Sequence, residues 1–251
     1  MIRQEPTNFE GYFWQGFLDL QHENGYDAIR SLRRAEALDA NPYVLKVLAV
    51  SYYTVRQFHL FVLKMNEAIR KQPEDFAPYY YLGRYYASNE MEDFDRAAEY
   101  YQKAIGRNPR HFQSYYYLGH CYEVKRKLED AERQYQQAIE FAEAVGAKFA
   151  PPYRGMASLR LLENRPADAL QFAKRAVELA PNDAEGHTEL AKAYAALGRE
   201  AEAVPEWEQA ATLNPTDASP YYHLYRIYLA IGNEEKANSA YAKFKRLSSM
   251  Y

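Results

Sequence analysis

The chain has one cysteine, Cys121, so no intramolecular disulfide forms and the redox compartment is left open. It has no apolar run near the roughly 18–20 residues of a membrane helix, and no membrane insertion is expected. It has no surplus of one charge. Lys+Arg and Asp+Glu stand at 15 and 16 in residues 1–125 and at 16 and 18 in the remainder, for a net charge of −3. Without a basic half or tail, binding of nucleic acid through counterion release is not expected. Residues 1–8 form a polar tail without the apolar centre of an export signal. The expected location is the cytoplasm, or the periplasm or cell exterior if such a signal has been trimmed away.

Catalytic signatures are missing as well. There is no Gly-rich phosphate loop, no Gly-x-Ser-x-Gly and no His-Glu-x-x-His. His120, Cys121 and Glu123 are close in sequence, but adjacent residues of a helix do not share a face, so no metal site is expected. Glu92-Asp93 and Glu234-Glu235 fall at helix starts, where carboxylates suit the helix dipole. No enzyme activity and no cofactor is expected.

What the chain has in excess is tyrosine, 25 in 251 residues, and it is ordered. Tyr79-Tyr80-Tyr81-Leu82-Gly83 returns thirty-six residues later as Tyr115-Tyr116-Tyr117-Leu118-Gly119. Aligning on these phrases gives a period of about 34 residues and seven repeats: 9–41, 42–75, 76–111, 112–149, 150–183, 184–217 and 218–251. Together they read as one array over 9–251.

Position 4 of the repeat is aromatic or His in six copies. Position 7 is Leu or Met in six. Position 8 is small in six (Gly16, Ala49, Gly83, Gly119, Ala157, Ala191), and position 11 is Tyr in five. Spacings of 3, 4 and 7 place these on one helix face. A second stripe follows: Ala at positions 20 and 27, except Phe61 and Phe244, flanks a residue at position 24 that is larger in six copies (Leu32, Met65, Tyr101, Tyr135, Trp207, Tyr241) and Ala173 in the other. Pro73, Pro109, Pro181 and Pro215 then stop the second helix. Each repeat is therefore a pair of antiparallel helices, A and B, and pairs must stack to bury their apolar faces.

Irregularities are expected at four places. Gln15 and Asp19 predict a shifted or frayed first helix. Glu90-Met91 lengthen one turn. Phe141 to Val145 extend the B helix of repeat four before Gly146. Pro205 falls inside the B helix of repeat six, where it should remove a hydrogen bond and bend the helix. In repeat five, Asn164 and Pro166 read as a capping residue and a first-turn proline.

The repeated pattern of aromatic, Leu-Gly/Ala, Tyr, Ala–aromatic–Ala and Pro resembles the tetratricopeptide repeat family. The resemblance implies an all-α, right-handed α-solenoid, a superhelix of antiparallel helix pairs. It also implies a concave groove lined by A-helix positions 2, 5, 9 and 12. Those positions include Phe13, Tyr43, Lys46, Tyr53, Tyr80, Arg84, Tyr116, His120 and Arg154. Aromatic groups with a few cations suit a protein or peptide ligand. The expected function is a protein–protein interaction scaffold or adaptor holding an extended peptide or partner helix. A carboxylate of the ligand would pair with Arg84 or Arg154. Tyr at position 5 also suits contact with the neighbouring repeat, and Tyr81 and Tyr117 at position 6 fit either face. The alternative is a partner-recruiting or self-associating region of a larger enzyme or assembly. No position 6 is Asn, so the carboxylate clamp for chaperone tails is disfavoured. Tyr241, Phe244, Leu247 and Met250 form an apolar stripe on the last helix, an expected surface for homo-oligomer formation.

Overall fold

The computed structural model describes residues 9–249. Fourteen helices make up the regular structure of these residues: α1 (Phe9–Gln21), α2 (Gly25–Leu38), α3 (Pro42–Thr54), α4 (Phe58–Lys71), α5 (Phe76–Tyr86), α6 (Phe94–Arg107), α7 (Phe112–Val124), α8 (Leu128–Ala144), α9 (Pro151–Leu162), α10 (Pro166–Leu179), α11 (Ala184–Ala196), α12 (Glu200–Leu213), α13 (Ser219–Ala230) and α14 (Glu234–Ser248). Odd-numbered helices are A helices and even-numbered ones B helices. The expected all-α repeat solenoid is what the chain adopts.

Two compact units divide the chain, Met1–Cys121 and Tyr122–Tyr251, the division falling within α7. In the first, each helix from α1 to α5 packs on the one that follows it. In the second, the same holds from α8 to α13. α2 and α4 in the first unit, and α10 and α12 in the second, thus each lie between their own A helix and the next.

The sequence positions explain this packing. Position 20 is buried in all seven repeats (Ala28, Phe61, Ala97, Ala131, Ala169, Ala203, Ala237). Position 24 is fully enclosed in six; Tyr241, in the last repeat, stays 44% exposed. A Cβ at Gly16 would lie 2.6 Å from Leu32 Cγ, and one at Gly83 would lie 2.7 Å from Tyr101 Cε1. Position 8 is small because the large position-24 side chain presses directly on it. Position 4 has a polar task too. Tyr79 Oη donates to the Pro73 carbonyl (3.2 Å), Tyr115 Oη donates to that of Pro109 (3.1 Å), and His187 Nε2 lies 2.9 Å from that of Pro181. The proline ends the B helix, and the ring of the next A helix satisfies its carbonyl.

Helix starts are chemically marked. Asn41 accepts from the amides of Tyr43 and Val44, Asp75 from Ala77, Asp93 from Arg96 and Asn233 from Lys236. The A–B turns share a left-handed residue at position 15: Glu23, Arg56, Arg126, Asn164, Gly198 and Gly232, with Glu92 displaced by the two-residue insertion. Asn164 is therefore not a cap. It has φ +57° and turns the chain, while Arg165 is the N-cap of α10 and Pro166 opens the helix.

The other expected irregularities resolve as follows. α1 is neither shifted nor frayed over its described residues: Phe9–Gln21 is helical in register with the repeat, and Gln15 Nε2 donates to Asp19 Oδ1 at 2.9 Å, one turn on. The polar pair is satisfied by itself. The turn before α6 is long, and α8 runs to Ala144, capped by Val145 before Gly146 at φ +68°. α12 continues through Pro205.

Candidate functional site

The side chains of interest in the first unit gather on α5 and α7. Tyr80 and Arg84 are one turn apart on α5, and the Arg84 guanidinium donates to Tyr80 Oη at 3.4 Å. Arg84 also lies over the Tyr117 ring, 4.7 Å from its centre, a cation–π contact. Tyr117 stacks at 5.7 Å and 14° on Tyr101 of α6, which is fully buried. Tyr116 meets Tyr117 edge-on at 4.9 Å, and Tyr80 meets Tyr117 at 5.9 Å. Tyr81 completes the patch, 5.4 Å from Tyr80 and 39% exposed. Each ring is held by another, so a ligand meets a surface already ordered. Burial pushes the Tyr117 hydroxyl up to about 12, despite the pull of Arg84, and it stays protonated as a hydrogen-bond donor.

Arg84 differs from the other two groove cations. Lys46 is held by Asp75 at 2.5 Å and lies over the Tyr43 ring at 4.7 Å. Arg154, in the second unit, is paired with Asp183 at 3.0 Å and with Glu185. Arg84 is exposed and has no carboxylate partner among the described residues. A carboxylate arriving there need not displace an internal one.

The remaining candidates lie apart from this patch. Tyr43 is 66% exposed on α3. Tyr53 packs on Phe58 and Phe61 and lines a separate cleft of about 570 Å³ with Leu20, Arg56 and Glu90. Phe13 packs on Trp14 and Phe17 within α1, and His120 lies 6.2 Å from Phe94. In the second unit Glu123 accepts from Tyr135 Oη (2.5 Å) and Ser158 Oγ (2.6 Å), an internal role. On the last helix Tyr241 and Phe244 pack on Tyr225 and Tyr222 at 4.9 and 5.2 Å. Leu247 is buried and so not part of the open stripe; Met250 lies outside the described residues, as does the 1–8 tail.

Tyr101 and His111 belong to the site and were not singled out from sequence. The available signal was an aromatic at position 24 followed by one at position 6 of the next repeat. His111 sits between Phe76 (4.5 Å) and Tyr80 (4.9 Å), its Nδ1 2.8 Å from Ser114 Oγ. Burial lowers its pKa from 6.5 to about 4. The unfolded chain therefore takes up the proton first, so stability present above pH 6.5 is lost as pH falls from 6.5 towards 4. The ring is only half-buried and solvent screens part of the shift, so the expected loss is about 1–2 kcal/mol. Urea unfolding at a series of pH values should show this slope, and His111→Gln should flatten it. An unchanged slope would remove His111 as its source.

No helix among the described residues is long and apolar enough to cross a membrane. No group of three or more His, Cys, Asp and Glu able to hold a metal ion occurs among them.

The helix pairs, the small-against-large apposition and the ordered aromatic surface define a repeat scaffold of the protein-interaction class. A tetratricopeptide repeat family model matches residues 90–146 and 155–223, half of the chain. The chain belongs to the tetratricopeptide repeat family. It is similar to the rhomboid protease GluP of Bacillus subtilis, 33% identical over 84 residues. That stretch is 33% of this chain and 17% of GluP, so the chain matches well under two thirds of that protein. Among solved structures, it resembles a tetratricopeptide repeat protein from Parabacteroides merdae (TM-score 0.72, 18% identity, 95% of this chain and 93% of that one). It resembles the Cut9–Hcn1 hetero-tetramer of the APC/C (TM-score 0.76, 17% identity, 90% and 44%). It also resembles YrrB, described as a TPR protein with an unusual peptide-binding site (TM-score 0.54, 24% identity, 73% and 91%).

Proposed function

We propose that the first unit binds an extended peptide segment of a partner protein across Tyr80, Arg84 and Tyr116. An acidic side chain or a terminal carboxylate of that segment lands on Arg84. The observation that carries this reading is the state of Arg84: exposed, oriented by Tyr80 and Tyr117, and without an internal carboxylate. Pre-oriented guanidinium groups bind carboxylates strongly, and rigid tyrosines supply contact area at small entropic cost. Tyr43, Tyr53, His120 and Phe13 are secondary contacts for a longer ligand; Lys46, already neutralised, contributes shape more than charge. Arg154, neutralised in the second unit, is not assigned to this site. The peptide-binding description of YrrB is consistent with such a ligand.

A second reading has the chain as the partner-recruiting part of a larger enzyme. The similarity to a segment of a rhomboid protease favours it. The two readings share the site and differ only in what is attached to it.

The test is selection of binders from a random peptide display library on the wild-type protein. Recovered peptides should carry an acidic residue beside apolar or aromatic ones. Their affinity should fall by about 100-fold or more on the Tyr80→Ala/Arg84→Ala/Tyr116→Ala variant, roughly 3 kcal/mol, with helicity unchanged. Equal affinity for both proteins would refute the site.

A further inference from the structure

One junction recurs at three of the places where an A helix meets the B helix before it: position 6 of the A helix lies on position 24 of the preceding B helix. Tyr117 stacks on Tyr101 at 5.7 Å and 14°. His223 stacks on Trp207 at 4.2 Å and 4°. Where position 6 is Gly155, a Cβ would lie 2.5 Å from the Tyr135 ring, so the large group simply comes from the other side. Position 10 is sealed at the same seam. Ser51, Tyr85, Cys121, Leu159 and Ala193 are buried and Ile227 is half-buried, and Tyr85 packs on Phe58 and Phe61 of the preceding B helix at 5.6 and 5.4 Å.

The two ends of the described chain each carry half of this junction. On α1, position 6 is Trp14, 58% exposed, and position 10 is Leu18, 48% exposed. On α14, position 24 is Tyr241, 44% exposed, whereas that position is fully buried in the other six repeats. Position 27, Ala in every other repeat, is here the half-buried Phe244. It packs on Tyr222 of its own A helix at 5.2 Å. An aromatic that lacks its stacking ring at one end thus matches an aromatic that lacks its platform at the other.

We propose that the chain associates head to tail with a second copy of itself. α1 of one copy seats on α14 of the next, Trp14 stacks on Tyr241, and Leu18 is covered. The contact reproduces the internal junction and is independent of the peptide site on α5 and α7. It is heterologous, so each added copy presents a fresh end and growth continues past the dimer unless a ring closes.

Sedimentation velocity over a range of protein concentrations tests it. The wild-type mass should rise above the 29.3 kDa of one chain. Trp14→Asp removes the head and Tyr241→Asp the tail, and each should weaken association at least tenfold, about 1.4 kcal/mol. The decisive sample is the equimolar mixture, in which one variant keeps its tail and the other its head. It should form a species of twice the single-chain mass and nothing larger. Leu18→Asp replaces the head variant if Trp14→Asp loses helicity. A wild type that stays at single-chain mass up to millimolar concentration overturns the proposal. So does undiminished association of either variant, or a mixture that remains monomeric.

Discussion

Trp207→Ala is expected to destabilise the protein by about 3–5 kcal/mol, at the upper end for a core truncation. Trp207 is completely buried. It fills a core with Ala191, Ala203, Leu224, Tyr228, Ala237 and Ala240, and its ring is covered by His223. The surrounding alanines cannot close over the hole, because each already sets the distance between two helices. One term offsets the loss. The indole Nε1–H is buried with no hydrogen-bond partner among the described residues, and its removal returns about 1 kcal/mol. Trp207→Phe should for the same reason cost clearly less than Trp207→Ala. Stability in repeat arrays is a sum of units and interfaces, so the loss should be local. Hydrogen exchange should show α12, α13 and α14 opening first, while α1 to α6 keep their protection. Uniform loss of protection would contradict that locality.

Gly83→Val is expected to cost about 3 kcal/mol and to disorder the candidate site. Its first methyl-bearing carbon would lie 2.7 Å from Tyr101 Cε1 and 2.8 Å from Cδ1. The Tyr101 ring cannot retreat, because Tyr117 lies flat against it. Overpacking of this kind forces rings off their rotamers or helices apart. Since Tyr117 carries Arg84, the peptide site should weaken with the fold. Tyr101→Ala in the same chain should relieve the clash but open a cavity of its own, so the two losses should be clearly less than additive without restoring wild-type stability. It should not recover peptide binding, because the platform beneath Tyr117 is gone. Denaturant titration and peptide titration of the single and double variants separate the two effects.

The architecture was legible because spacing carries it. Leu at position 7, a small residue at 8 and Ala at 20 are each imposed by contact, so they recur at a fixed interval. The helices begin where that interval puts them. The left-handed turn residues were less legible. Gly198 and Gly232 announce the conformation, but Glu23, Arg56 and Arg126 adopt it without any propensity for it, held by the helices on either side. The charge state of the groove was hidden for another reason. Lys46 and Arg154 both find their partners, Asp75 and Asp183, 29 residues on, across the full helix pair. Residue type alone marks them as available cations; only the shared interval of 29 points to their neutralisation. Asn164 was misassigned because an Asn before a helix serves equally as a cap or as a left-handed turn residue. Here the turn takes it.

The central claim is that Tyr80, Arg84 and Tyr116 form the ligand-binding surface of the first unit. The most direct measurement is titration of a library-selected acidic peptide against wild type and Arg84→Gln. This exchange removes the charge, keeps much of the side chain and leaves the stacked tyrosines in place. The account predicts a loss of at least tenfold, about 1.4 kcal/mol. It also predicts that the loss disappears when the acidic residue of the peptide is replaced by its amide. An equal affinity of the acidic peptide for both proteins would contradict the account.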